Sequence, residues 1–223
     1  MPLLAAETAE VNGITATGTC LKKVSQDRAS VTLTTNILAP TSGAASKEAI
    51  KESQKLRDSI IALKLEDATL NTDGFSVYED RQYENKKMVS KGYRSRISLT
   101  VETSNIARIG DAISAAAKLG VKDIGGLSTF VSPEKKKTEY ESCLEVASKS
   151  ARDKAAKLAK GSGVKLGKVL RIQEGSQQSY QVNTRSMPVM MKASAGDEEM
   201  GTPSIDTKAE DMTVSATVTF AVE

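Results

Sequence analysis

Three kinds of periodicity follow one another along the chain. Val11 to Val24 sets Ile14, Ala16, Gly18 and Cys20 against Thr15, Thr17 and Thr19, and Ala29 to Leu38 sets Val31, Leu33, Thr35 and Ile37 against Thr32, Thr34 and Asn36. A period of two with one apolar and one threonine-rich side predicts strands covered on a single face. The polar Ser25-Gln26-Asp27-Arg28 between them predicts a hairpin. From about Ser46 to Asp67 the spacing becomes helical, with Ala49, Ser53, Leu56, Ile60 and Leu63 on the inner side. Asn71 to Gly74 reads as a turn, Phe75 to Asp80 and Met88 to Glu102 as paired strands, and Arg81 to Lys87 as the exposed tip between them.

Thr103 to Asn105 can cap a second helix carrying Ile106, Ile109, Ile113 and Ala117, closed by Gly120. Val121 to Val131 predicts a strand, and Ser132-Pro133-Glu134 is a favourable start for a third helix. Its inner stripe is Tyr140, Leu144, Ala147, Ala151, Ala155 and Leu158, mostly alanine, which lets the axis sit close to a sheet. The outer side pairs Glu145 with Lys149 and Asp153 with Lys157 at helical spacing. After a glycine stop, Val164 to Glu174 predicts a buried strand, and Met212 to Val222 a closing strand of the threonine type. From 175 to 209 no period is visible; an excursion that long is usually functional or disordered.

The resulting order is ββαββαβαββ, an α+β fold: helices on one face of a mainly antiparallel sheet, with a ferredoxin-like βαββαβ unit from the second strand to the fifth. Residues 1–10 read as a tail and 11–223 as one domain, and 223 residues suffice for a proper core.

The alanine-and-lysine helix, its glycine break and the following Leu166-Gly167-Lys168-Val169 resemble the SIMPL-domain family, bacterial envelope proteins known as periplasmic immunogenic or oxidative-stress-defence proteins. Ile14-Thr15-Ala16-Thr17-Gly18, Asp27-Arg28-Ala29 and Gly92-Tyr93-Arg94 add to the resemblance. It implies an exported protein of the periplasm or cell envelope with a role in stress tolerance. The uncovered threonine-rich face, which could line a cavity or rest on a second copy, and the homo-oligomers of the family add the expectation of a self-associating homo-oligomer. No reaction is implied. Met1 to Glu7 lacks a basic region and a full apolar region, so the expectation is a signal already removed.

Composition narrows the chemistry. There is no histidine, which removes Ser-His-Asp and Cys-His catalysis and histidine-ligated zinc. No catalytic residue, metal site or cofactor is assigned, and the expectation is a non-enzymatic protein. A net charge of +3 spread along the chain does not suggest nucleic acid, and no apolar run is long enough to span a bilayer. Gly161 to Gly167 follows a helix and precedes a strand, the reverse of a dinucleotide loop. Cys20 and Cys143 are either two buried thiols or a disulfide in an oxidising compartment.

Met187, Met190, Met191 and Met200 fall in the excursion. They are adaptable contact residues, and soft enough for Cu(I). Asp197-Glu198-Glu199 lacks the spacing of a calcium loop and reads as solvated, as does Lys135-Lys136-Lys137. The candidate interaction surface is therefore Arg81, Tyr83 and Lys86 at the hairpin tip with Met187, Met190 and Met191 in the excursion. An alternative is an adaptor that engages another envelope protein through 175–209.

Overall fold

A computed structural model describes residues 13–175 and 207–223. The strands are β1 (Ile14–Ser25), β2 (Arg28–Ala39), β3 (Thr69–Glu84), β4 (Lys87–Thr103), β5 (Asp123–Phe130), β6 (Leu166–Glu174) and β7 (Ala209–Val222). The helices are α1 (Ser42–Ala62), α2 (Ile109–Lys118) and α3 (Pro133–Gly161), with a 3-10 turn at Ile106–Arg108 before α2. The element order is the expected one. The chain divides into two compact units.

One unit is a four-stranded antiparallel sheet in the order β3-β4-β2-β5. Counted within the unit this is 2-3-1-4, the strand order of the split βαββαβ arrangement. Ala29, Val31 and Leu33 of β2 and Leu99 and Val101 of β4 point to one face and are fully buried. Leu56 and Ile60 of α1 and Ile109, Ala112 and Ala116 of α2 close over them. The other face carries cross-strand hydroxyl pairs, Ser30 with Ser128, Thr32 with Thr100 and Thr34 with Ser98, each at 3.0 Å. Such pairs add small increments to a sheet already fixed by its core. Thr41 caps α1, its hydroxyl accepting from the Ala44 amide at 3.2 Å.

The other unit is a three-stranded sheet, β1-β7-β6, with α3 on its apolar face. Thr15 bonds Thr219 and Thr17 bonds Thr217, both at 2.9 Å, so partner numbers fall as β1 advances and the pair is antiparallel. The residues α3 buries are Cys143, Ala147, Ala151, Ala155 and Ala159. Opposite them lie Ala16 and Cys20 of β1 and Val214, Ala216, Val218 and Phe220 of β7. Small side chains on both partners bring the helix backbone down onto the strand. A Cβ built on Gly18 would lie 1.9 Å from the Ala147 carbonyl oxygen.

Several expectations need correction. β1 and β2 are not a hairpin: they belong to different sheets, and β1 instead pairs with the far end of the chain. The expected layering of helices on one face of antiparallel sheet holds, but in two sheets, with α1 and α2 over one and α3 over the other. Asn71 to Gly74 is not a turn but a bulge inside β3, between Thr72 and Gly74. β6 is an edge strand and largely exposed, where a buried strand was expected. Leu158, assigned to the inner stripe of α3, is 54% exposed. The Glu145–Lys149 and Asp153–Lys157 pairs are not among the ion pairs of the described residues.

The tetrapeptide between β1 and β2 has a structural task in place of a hairpin turn. The Asp27 carboxylate accepts from both the amide and the hydroxyl of Ser132, each at 2.7 Å, and Ser132 is buried immediately before α3. The Asp27 amide in turn donates to the Phe130 carbonyl at 3.1 Å. Asp27→Ala removes the carboxylate that accepts both of these bonds, and hydrogen bonds to a charged group are worth about 1.5–3 kcal/mol. The expected loss of stability is about 2 kcal/mol, read as a lower urea midpoint at unchanged slope. Asp27→Asn, which keeps one acceptor, falls between; a midpoint for the alanine variant equal to that of the parent overturns this role.

Candidate functional site

The register of the four-stranded sheet leaves one element without a neighbouring strand among the described residues. Pairing of β2 with β4 stops at Ala39 opposite Tyr93, whereas β3 and β4 stay paired to Glu84 opposite Lys87. Six residues of β4, Lys87 to Gly92, therefore continue past the last β2 pair as half of a two-stranded arm, about 20 Å at ~3.3 Å per residue. Asn85 and Lys86 make the turn with φ of +48° and +64°. A two-residue loop with both φ positive is of type I′, whose twist matches that of the flanking strands. At the base, Gly92 has φ +115°, and a Cβ there would lie 2.6 Å from the Ala39 carbonyl oxygen. Glycine is thus required where β4 leaves β2.

A two-stranded ribbon is marginal in water by itself. This one is laced by ion pairs: Arg81 with Glu79 at 2.5 Å, Lys91 with Glu84 at 2.7 Å, and Arg94 with Asp80, Arg94 also donating to Asn36 Oδ1 at 3.0 Å. The Arg81 guanidinium, helped by the Ser90 hydroxyl, holds the Glu79 carboxyl below the usual carboxylate range, and Glu79 raises Arg81 in return. Arg81 is exposed and Glu79 partly so, and solvent screening means that these bonds set geometry more than energy.

At the tip, Tyr83 stands directly opposite Met88, 70% and 60% exposed. Directly opposed residues share a face, so the ring and the thioether form one apolar spot on a charged ribbon, and sulfur beside an aromatic ring is a favourable contact. Val89, on the other face opposite Gln82, is also exposed.

The structure thus gathers Arg81, Tyr83 and Lys86 on one arm, with Arg81 engaged by Glu79 and Lys86 in the turn. Met187, Met190 and Met191, and the 175–209 excursion apart from its first residue and its last three, lie outside the described residues. Met88 was missed by the sequence reading. Its signal is Asn85, a favoured first residue of a type I′ turn, which places residue 88 opposite residue 83.

Cys20 of β1 and Cys143 of α3 are joined in a disulfide, with 5.5 Å between their Cα atoms. Around it lie Tyr140, Leu144, Ala147, Val214 and Ala216. The Tyr140 hydroxyl donates to the Glu174 carboxylate, tying α3 to the end of β6.

A shallow open depression lies where β2 leaves β4, lined by Leu38, Ala39, Pro40, Ser90, Lys91 and Gly92. Its one charged group, Lys91, is already on Glu84. Among the described residues no three His, Cys, Asp or Glu converge as a metal site would require, and no helix is long and apolar enough to cross a membrane.

Comparison with known proteins agrees with this architecture. Residues 14–222 match the family model SIMPL, described as a protein of unknown function (DUF541). Two curated relatives, each a "26 kDa periplasmic immunogenic protein", come from Brucella melitensis biotype 1 and Brucella abortus strain S19. Each is 28% identical over 166 residues, 72% of this chain and 66% of the relative's own length. With the model matched across both sheets and all three helices, the chain belongs to the SIMPL family.

Proposed function

We propose that this is a non-enzymatic protein exported to the periplasm, which self-associates through the β3–β4 arm and contributes to tolerance of envelope and oxidative stress. The compartment follows the names of the relatives. The observation that carries self-association is the arm: a stapled ribbon presenting Tyr83 and Met88 as exposed side chains beyond the last β2 pair. A second copy covers this spot and supplies the packing that a two-stranded ribbon lacks.

The test is mass in solution. The monomer is 23.7 kDa, and light scattering after size exclusion is expected to give a multiple of that at micromolar concentration. Tyr83→Lys with Met88→Lys, at positions too exposed to disturb the core, is expected to weaken assembly at least tenfold, since burying an unpaired charge costs well over the ~1.4 kcal/mol that a factor of ten represents. A parent that runs as a monomer at tens of micromolar overturns self-association. An unaltered mass in the double variant overturns the arm as its site. The stress-tolerance part is read separately, as survival of peroxide by cells with and without the protein.

A further inference from the structure

The total charge of +3 conceals a segregation. Between Lys149 and Arg171 stand eight lysines and arginines against one acid, Asp153: a net +7 in 23 residues, leaving −4 on the rest of the chain. The segment is the second half of α3, its glycine stop and the first part of β6. All eight basic residues are exposed. None forms an ion pair with a described residue, whereas acids elsewhere do find partners. Lys154 alone is engaged through its side chain among the described residues, donating to the Thr17 carbonyl at 2.7 Å.

A helix C-terminus favours cations, but only within its last turn. That accounts for Lys160 and its near neighbours, not for Lys149 and Arg152 about two to three turns earlier or for Lys165 to Arg171 beyond the helix. Charges of one sign at this density repel one another and create a positive potential that attracts anions.

The side chains among these cations indicate which kind. Leu158, Val169, Leu170 and Ile172 are exposed there, Ile172 by 67%. Arg171 stands opposite Thr219, on the face away from α3, and Ile172 opposite Val218, on the face towards it. Cations and aliphatic groups therefore flank the edge strand β6 from both sides, and the unit presents them edge-on. No aromatic residue occurs between 149 and 175, so the stacking platforms that single-stranded nucleic acid uses are missing. Aliphatic tips set among lysines suit a lipid interface, where the cations meet headgroups and the apolar tips enter the acyl boundary.

We propose that this basic end of the three-stranded unit binds the surface of an anionic phospholipid membrane. The contact uses residues remote in sequence from the arm and does not depend on self-association. Attraction to such a surface runs at roughly fivefold in affinity per basic residue, so binding is steeply salt-dependent.

The experiment is flotation of the full chain with vesicles of phosphatidylcholine alone or with about 30 mol% phosphatidylglycerol, at low and high salt. The expected result is binding to the anionic vesicles at low salt, loss at high salt, and none to neutral vesicles. Lys157→Glu, Lys160→Glu and Lys165→Glu together are expected to weaken partitioning by roughly a hundredfold or more, with circular dichroism and mass in solution unchanged. Lys136→Glu with Lys137→Glu, at the opposite end of α3, serves as the charge control and keeps binding within a few-fold. No partitioning at low salt, equal loss in both variants, or binding to duplex DNA as tight as to vesicles would overturn the proposal. The last result would show an unselective polyanion surface.

Discussion

Replacing Cys20 and Cys143 together by alanine is expected to lower the stability of the three-stranded unit by about 3–5 kcal/mol. The bond joins residues 123 apart, and for a loop of that length the chain-entropy model gives nearly 5 kcal/mol, while measured losses in small domains run from about 2 to 5. The upper part of that range is expected here because the unit has little else to draw on. Where α1 buries Leu56 and Ile60, α3 buries one cysteine and four alanines. A methyl group removes far less apolar surface from water than a leucine side chain, whose full burial is worth about 1.5–3 kcal/mol. A long helix held mainly by methyl contacts leaves the covalent link a large share of the net stability. Amide exchange checks this locally. Protection across Cys143 to Ala159 is expected to fall by roughly two to three and a half decades in the double variant, while amides of β2 and β4 change less. Equal protection in variant and parent would show that the bond is incidental. Such a link also requires folding in an oxidising compartment, as the proposed periplasmic location supplies.

The element order was legible because amphipathic periodicity is local. Ile14 to Cys20, Ala29 to Ile37 and Tyr93 to Val101 alternate strongly enough to define strands and their apolar faces without any partner. The partition into two sheets was not legible for the same reason. Period two states which side of a strand is apolar, not which strand lies beside it. β1 pairs with β7, some two hundred residues away, through threonine contacts that any of the threonine-rich strands could offer. Ser25 to Arg28 looks as good for a hairpin as for the clamp it is, since only the position of Ser132 distinguishes the two. β6 reads as buried from Val169, Leu170 and Ile172, yet it lies at an edge, a place set by the whole sheet and not by its own residues.

The candidate site divides in the same way. The exposed tip was readable from Arg81 to Lys87, but Met88 needed the turn register. Three short segments that carried the family resemblance now have physical reasons. Asp27 holds Ser132, Gly92 lets β4 part from β2, and Gly18 admits α3.

The last of these supports the other large expected effect. Gly18→Ala adds one carbon at a point where the ideal Cβ position lies 1.9 Å from the Ala147 oxygen and 2.3 Å from the Ala151 nitrogen. Both are backbone atoms of α3, so no side chain can rotate away, and the helix must lift. Lifting it opens the alanine contacts to either side, pulls Lys154 from the Thr17 carbonyl and loads the disulfide one turn away. Ordinary overpacking costs about 1–3 kcal/mol because side chains and local backbone share the displacement. Here the displaced body is a 29-residue helix, and the expected cost exceeds that range, with Gly18→Val worse again. Gly43→Ala in the first turn of α1 is the matched control, since a Cβ there meets nothing within 4 Å. It is expected to be neutral or to stabilise by up to about 1 kcal/mol, as alanine is the better helix former. Thermal and urea melts of the three variants settle the matter. If Gly18→Ala behaves like Gly43→Ala, α3 does not rest on β1 at that distance, and the close helix-on-strand packing of the unit is wrong.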